Sequence, residues 1–226
     1  FRRRYFTFIA PKYAHLTGNT TRDLFAAALR QHDLALTNES VIHDSAADLS
    51  AVFPEDGCLT HVIDNFSLST FGTREQQLKG LAENYRTLKA DGGVAVFTTW
   101  KKFAMSELIG AAQAILLADS PSPVQVKGAN WAAAQPVPMN GPEFVAEGHL
   151  ASMLAEAGWS PTKTQTSLVK SVVTRDEDEK GLLEFMQVSP PAKAAAWPAA
   201  VQQAVDAMKK EHGGIYGETW VVIARK

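Results

Sequence analysis

Few side chains of this sequence combine proton-transfer chemistry with a position from which a ligand could be reached. His15 and His61 are our two candidates for a general base, because an imidazole gains and loses its proton near neutral pH. A histidine within a strand, as we expect His61 to be, is more often a hydrogen-bonded core residue than a catalytic one. Asp44 ends a short strand candidate and could serve there as a cap. No spacing of His, Cys, Asp and Glu is typical of a metal site, so we predict none.

The composition limits the classes of partner. Cys58 is the single cysteine, which excludes an internal disulfide and favours a reducing compartment such as the cytoplasm; we expect it to be a small buried residue. The net charge is −2, from 22 basic and 24 acidic residues dispersed along the chain, which argues against nucleic acid as the main partner. No apolar run approaches the ~18 residues of a membrane span, so we expect no membrane partner.

A helix, a tight turn and a buried strand are predicted between residues 78 and 98. The turn 90–93 contains two glycines, which take positive φ at little steric cost. Residues 94–98 form a continuous apolar run, which is typical of a strand covered on both faces. The helix before the turn carries one apolar stripe that should pack on the sheet: Leu78, Leu81, Ala82, Tyr85 and Leu88.

A second strand, residues 60–66, precedes that helix, which should begin near Thr73. Strand, helix and strand form a βαβ unit, whose crossover is right-handed by default. We expect a single α/β domain over 1–226, Rossmann-like, with a mostly parallel sheet, an antiparallel C-terminal edge strand at 219–224, and helices on both faces. Further elements are expected as a helical lid at about 1–38, helices at 103–117, 144–157, 176–187 and 197–210, a strand at 162–173, and a long binding loop or lid at 118–138.

Residues 45–60 present a geometric conflict. If the strand candidate 41–44 and the strand 61–65 are parallel neighbours, a crossover of a dozen or more residues, usually helical, must join them. The segment between them contains Pro54 and Gly57 and lacks helical periodicity. Either the strands are not parallel neighbours, or residues of the complete protein are absent between Ala46 and Asp48. We prefer the second explanation, which the Cα–Cα distance tests, because a trans peptide fixes it near ~3.8 Å.

Four segments resemble the class I S-adenosylmethionine-dependent methyltransferases. Residues 85–100 are similar to the helix, glycine turn and fifth strand of that family, and they are the most specific of the four. Residues 60–68 resemble its fourth strand, 41–46 its first strand and the start of the cofactor loop, and 47–54 the loop after its third strand. Within that family, the chain resembles the small-molecule enzymes of fungal secondary metabolism, of the gliotoxin S-methyltransferase type.

One part of the family pattern does not occur in the chain. The glycine-rich loop after the first strand, the following helix, the second strand and the third strand are missing between Asp44 and Asp48. They would add roughly 50 residues, about two βα units, at the place where the geometric conflict arises. We therefore expect a missing segment near 46–48.

The resemblance implies S-adenosylmethionine as the cofactor and a small molecule as the methyl acceptor. The methyl group of a sulfonium is already electrophilic, so the protein must place the acceptor in line with it, about 3 Å away in a dry pocket. A general base helps where the acceptor is a hydroxyl or a thiol. The cofactor residues implied by the resemblance are Tyr13, Thr17 and Thr20 in the N-terminal segment, Asp44 and Ala46 at the methionine end, Asp48 and Leu49 at the adenine, and Asn65 and Phe66 at the fourth strand.

The implied substrate residues follow the fifth strand or lie in or beside the long loop. The open edge at the carboxyl ends of the strands is where α/β sheets bind ligands. The threonines have an alternative role as helix caps, and the aromatic residues have one as core packing. The residues are Trp100, Phe103, Asn130, Trp131 and Met139.

Two functions stay open at this point. The first is an enzyme that transfers a methyl group to a small, secondary-metabolite-like acceptor. The second is a methyltransferase-fold protein without methyl transfer, either a pericyclase-like enzyme or a small-molecule binding scaffold, which a genuine deletion of the glycine loop would favour. A nicotinamide oxidoreductase is disfavoured because the chain has no G-x-G-x-x-G. Association into a homodimer through β-edge and loop surfaces is also open.

Overall fold

The structure, a computed structural model, describes residues 49–50, 53–68, 73–118, 142–173, 180, 182–183 and 195–226. None of the helices within these ranges has the length and apolar character needed to cross a membrane. The elements are β1 His61–Asn65, α1 Arg74–Thr87, β2 Val94–Lys102, α2 Ala104–Ala118, a 3-10 turn Pro142–Val145, α3 His149–Glu156, a 3-10 turn Pro161–Lys163, β3 Thr164–Val173, α4 Trp197–His212 and β4 Ile215–Arg225.

The predicted βαβ unit is confirmed. β1 pairs with β2 in parallel, with His61 opposite Val94 at one end and Asn65 opposite Thr98 at the other. α1 begins at the predicted place because Thr73 caps it: the Thr73 hydroxyl accepts from the Gln76 amide at 3.2 Å, and the Gln76 side chain accepts from the Thr73 amide at 3.1 Å. This reciprocal pair satisfies two of the amides that a helix start leaves without partners.

The predicted glycine turn has the expected backbone, with a different requirement at each glycine. Gly92 has a φ of 75°, in the left-handed region. Gly93 is needed for space, because a Cβ atom there would lie 2.4 Å from the Lys89 carbonyl oxygen. β2 then runs buried from Val94 to Trp100, as its continuous apolar pattern predicts.

The buried face of α1 differs in part from the predicted stripe. Leu81 and Leu88 are fully buried, and Leu78 and Tyr85 pack partly buried against the same core. The prediction for Ala82 is wrong, since this residue is exposed. Two amide side chains are buried on the face of Leu81 instead: Gln77, four residues before it, and Asn84, three residues after it.

The four strands of the described residues form one mixed sheet in the order β1-β2-β4-β3. The start of β2 meets the end of β4, where the Lys226 amide donates to the Gly93 carbonyl at 3.0 Å. The end of β2 meets the start of β4, where Lys101 Nζ lies 2.8 Å from Glu218 Oε2. β4 is therefore antiparallel to β2. The predicted antiparallel C-terminal strand is confirmed in part: β4 is antiparallel to β2, but among the described strands it lies inside a mixed sheet and β3 is its outer neighbour.

The chain divides into two compact units, each with its own core. One comprises described residues of Lys102–Met139 and Lys170–Gly217 and packs α2 on α4, around Leu108, Trp197 and Val201. The other comprises described residues of Phe25–Lys101, Asn140–Val169 and Glu218–Lys226, and its core lies between α1, α3 and the sheet.

Three further elements test the predictions outside the βαβ unit. The helix predicted over 144–157 is a 3-10 turn followed by α3, because Gly148, at φ 80°, precedes α3 as its N-cap. Gly158, at φ 96°, comes directly after the C-cap Ala157, so the helix ends close to the predicted residue 157. The expectation that Cys58 is buried is wrong, since it is exposed beside the turn at Gly57. The lid at 1–38, the loop at 119–138, most of the 176–187 helix and the expected gap at 46–48 lie outside the described residues.

Candidate functional site

The carboxyl ends of β1 and β2 meet at one edge of the sheet, because the two strands are parallel and in register. Asn65 ends β1 directly opposite Thr98, and Phe66 leads the chain out of the strand. This edge carries three of the predicted site residues: Asn65, Phe66 and Trp100.

A short chain of hydrogen bonds ties the two strand ends together. The Phe66 amide donates to Thr98 Oγ1 at 3.0 Å, and this hydroxyl in turn donates to Asn65 Oδ1 at 2.8 Å. Thr98 is buried, so its bond to the Phe66 amide is shielded from water, whereas its bond to the half-buried Asn65 is only partly buried. The β1 end is thus held by a side chain of its parallel neighbour, which is an arrangement that fixes the direction of Asn65.

Phe66 adopts a left-handed backbone, with a φ of 58°. This conformation is unfavourable for a bulky L-residue and persists only where the surroundings enforce it. Here the hydrogen bond that the Phe66 amide donates to Thr98 and a parallel stack on Trp100 enforce it. The centroids of the two rings lie 4.0 Å apart at an interplanar angle of 13°. Each of the two residues is 8% exposed, so the stacked pair is almost closed to water.

Asp64 lies beneath this turn and is 5% exposed. Its Oδ1 accepts from the Ser67 hydroxyl and, at 3.3 Å, from the Ser67 amide. Burial raises the pKa of the Asp64 carboxyl above its ordinary 3.8, while bonds to Ser67, Leu68 and the Asn84 side chain act in the opposite direction. Its Oδ2 has no hydrogen-bond partner among the residues that the structure describes. The Asp64 side chain therefore stabilises the turn through its two hydrogen bonds to Ser67.

Lys101, near the end of β2, forms an ion pair with Glu218 on the face of the sheet opposite to Trp100. Lys101 lies 2.8 Å from the buried Glu218 and 5.2 Å from the ring centroid of Trp220, whose Nε1 donates to the Val145 carbonyl at 2.9 Å. Side chains alternate along a strand, so Lys101 and Trp100 face opposite sides of the sheet. This pair is separate from the Asn65–Thr98 chain.

Sequence reasoning missed Thr98 and Asp64. A threonine in an apolar run is read as a strand former, and an aspartate near a strand end as a cap. The signal for Thr98 was its position in the chain. Thr98 is the fifth residue of β2, and in the parallel pair it lies opposite Asn65, the last residue of β1. That signal requires the register, which depends on the exact turn length before β2.

Three other predicted site residues fall within the described ranges, and they do not lie at this edge: His61, Leu49 and Phe103. His61 starts β1 at the opposite, amino edge, where it is exposed and its Nδ1 lies 3.1 Å from Thr60 Oγ1; it is neither in the core nor beside Asn65. The Leu49 amide donates to Glu83 Oε2 at 3.1 Å, in the C-terminal half of α1, which lies toward that same amino edge. Phe103 packs partly buried against the core of α2 and α4.

The other predicted site residues stay predictions, because they lie outside the described ranges. They are Tyr13, His15, Thr17, Thr20, Asp44, Ala46, Asp48, Asn130, Trp131 and Met139. Within the described part of the chain no group of three or more His, Cys, Asp or Glu could hold a metal ion.

The carboxyl edge can be compared with the hydrogen-bonding groups of an S-adenosylmethionine-type cofactor. Such a molecule offers hydrogen-bond acceptors in its carboxylate, hydroxyl and ring nitrogen atoms. Asn65 uses its oxygen internally, and no described residue accepts a bond from its amide nitrogen, which leaves a donor at the end of β1. Phe66 and Trp100 supply apolar cover beside it. The donor and the cover match what an edge site of an α/β sheet offers a nucleoside.

No protein-family model matches the chain, and no curated protein matches it. Among solved structures, the chain is similar to a SAM-dependent methyltransferase from Archaeoglobus fulgidus, at 11% identity and a TM-score of 0.34, over 86% of this chain and 71% of that one. It is also similar to the MccD protein, at 14% identity and a TM-score of 0.36, over 81% of this chain and 66% of that one.

A third similar structure is the [4+2]-cyclase SpnF, at 16% identity and a TM-score of 0.37, over 89% of this chain and 60% of that one. The chain thus spans between 60% and 71% of the lengths of these three structures. Similarities this weak do not identify a function.

Proposed function

We propose that this protein binds S-adenosylmethionine at the carboxyl edge of β1 and β2 and transfers its methyl group to a small-molecule acceptor. One observation carries the proposal. The segments that resemble the fourth and fifth strands of class I methyltransferases are parallel neighbours in register, joined by a helix and a glycine turn. Their carboxyl ends bring Asn65, Phe66 and Trp100 together.

The cofactor, when bound, supplies an electrophilic methyl group, so the residues of the chain need only bind, orient and exclude water. Asn65 offers its amide N–H groups to an acceptor atom. The stacked rings of Phe66 and Trp100 keep water from this edge, which strengthens every polar contact made there. His61 lies at the amino edge, so His15 is the base candidate that we retain for a hydroxyl or thiol acceptor.

The finer assignments rest on the resemblance. We propose that the acceptor is secondary-metabolite-like, that the enzyme is of the gliotoxin S-methyltransferase type, and that it works in the cytoplasm. We also propose that residues 1–226 form one domain and that the protein associates into a homodimer.

Isothermal calorimetry with S-adenosylmethionine and with S-adenosylhomocysteine tests the binding step. We expect saturable heat with both ligands, and a thermal shift because a ligand at 100 times its Kd stabilises the folded state by about 2.7 kcal/mol. Asn65→Leu should weaken both heats. The control is Gln202→Leu, which removes an exposed amide on α4 that bonds only to Asp206 among the described residues. The absence of heat and of any shift in the unaltered chain would overturn the proposal.

Turnover separates methyl transfer from binding alone. Incubation with S-adenosylmethionine carrying a labelled methyl group, and with phenol, thiol and amine acceptors, should yield a labelled small molecule and S-adenosylhomocysteine. Binding without transfer to any of these acceptors would favour the alternative, a methyltransferase-fold protein that uses the site as a scaffold or for a pericyclic reaction.

A further inference from the structure

The described residues provide one hydrogen-bond acceptor for the proton of the Thr98 hydroxyl. Thr98 is 2% exposed, and its Oγ1 already accepts the Phe66 amide hydrogen. A buried hydroxyl proton requires an acceptor, and Asn65 Oδ1, at 2.8 Å, is the acceptor that the described residues provide. Since a hydroxyl has a single proton to donate, this assignment fixes both of its bonds.

The assignment also fixes the Asn65 amide. A terminal amide can rotate by 180° and present either its oxygen or its nitrogen. Here the oxygen is held by Thr98, so the nitrogen, with its two hydrogens, must point away from Thr98. Asn65 is half-buried at the end of β1, and no described residue accepts from its nitrogen.

We propose that Thr98 is a positioning residue: it orients Asn65 as a hydrogen-bond donor, and the site thereby selects a ligand group that is an acceptor. The inference rests on the proposed cofactor binding and adds which chemistry Asn65 recognises. The acceptor is either the carboxylate at the amino-acid end of the cofactor or a hydroxyl or ring nitrogen of its nucleoside. Both sources share the same chemistry, and the experiment distinguishes them.

A packing role of the Thr98 methyl group makes a different prediction from a positioning role of its hydroxyl. Thr98→Val keeps the shape and removes both hydrogen bonds, whereas Thr98→Ser keeps the hydroxyl and loses a methyl group. If only packing matters, Ser is the worse substitution and Val is harmless. If the hydroxyl positions Asn65, Val is the harmful substitution and Ser retains function.

The test measures the Kd of S-adenosylhomocysteine by calorimetry. We expect Thr98→Val to raise the Kd roughly 10- to 100-fold, as for a lost hydrogen bond and a misdirected amide, and Thr98→Ser to stay within about 3-fold of the unaltered chain. The matched control is Thr219→Val, which removes a buried hydroxyl that has no partner among the described residues. It should leave the Kd unchanged.

Asn65→Asp tests the donor directly, because a carboxylate still accepts from Thr98 but has no hydrogen to give. We expect it to weaken S-adenosylhomocysteine at least as much as Thr98→Val does. 5′-Methylthioadenosine lacks the amino-acid end. If its Kd is unchanged in Asn65→Asp, the acceptor is the carboxylate; if it rises equally, the acceptor is in the nucleoside.

Amide hydrogen exchange of Phe66 supplies a readout that needs no ligand. The amide should be protected in the unaltered chain and in Thr98→Ser, and should exchange at least about 10-fold faster in Thr98→Val, where its acceptor is gone. An unchanged Kd in both Thr98→Val and Asn65→Asp would overturn this inference and leave the proposed function standing. A lack of cofactor binding by the unaltered chain would overturn both.

Discussion

Asp64 is a buried titratable residue that bonds to Ser67 in the turn after β1. Burial raises its pKa, so the folded chain holds this proton more tightly than the unfolded chain does. Its contribution to stability is greatest below the ordinary pKa of 3.8 and is lost as the pH rises through the higher pKa of the folded state. The turn that positions Phe66 should therefore be most stable in acid.

Asp64→Asn should become more favourable relative to the unaltered chain as the pH rises from 4 to 7. The amide keeps an oxygen for Ser67 and cannot ionise, so it does not have to bury a charge. The measurement is the free energy of unfolding in urea at a series of pH values. Asp91→Asn, at an exposed position in the glycine turn, is the control for removing one carboxylate. A difference that shrinks toward pH 7 would contradict the assignment.

At the residue scale, the sequence predicts what a side chain is but only part of what it contacts. Asn65, Phe66 and Trp100 were identifiable because they lie in segments that resemble known strand ends. The left-handed φ of Phe66 was not, because that conformation depends on contacts with Thr98 and Trp100, more than thirty residues away in the chain. Long-range partners of this kind override local preference.

The turn before β2 sets the register of the whole unit. Gly92 and Gly93 are adjacent, yet the structure demands glycine for different reasons. An alanine at Gly92 meets nothing within 4 Å but must adopt a φ of 75°, whereas an alanine at Gly93 collides with the Lys89 carbonyl.

We predict that Gly92→Ala destabilises the fold by about 1 kcal/mol, the cost of a left-handed L-residue. Gly93→Ala should cost more, roughly 2–3 kcal/mol, because the backbone must shift to relieve the contact. Urea unfolding of the two single variants measures both costs. Equal costs, or a larger cost at Gly92, would show that the turn has another geometry.

The elements with strong local signals were predicted well. α1 has its cap at Thr73, and α4, Trp197–His212, follows its apolar spacing, with Trp197, Val201 and Val205 buried. The helix predicted over 144–157 starts later than predicted, because Gly148, a glycine inside the apolar pattern, is the N-cap of α3.

At the scale of the molecule, strand order was the least predictable feature. The apolar pattern of β4 shows that it is buried but not which strands it lies between. Its place between β2 and β3 depends on pairings such as Lys101 with Glu218, which no local pattern reveals. The expected missing segment near 46–48 likewise concerns connections between distant strands, and it stays a prediction.

The most direct test of the central claim is a nitrogen-15 NMR titration of the protein with S-adenosylhomocysteine. The claim is that the joint carboxyl edge of β1 and β2 binds the cofactor. The amide signals of Asn65, Phe66 and Trp100 should shift in a saturable way, while those of His61 and Val94, at the other end of the same strands, should stay in place. The absence of any shift, or shifts confined to His61 and Val94, would contradict it.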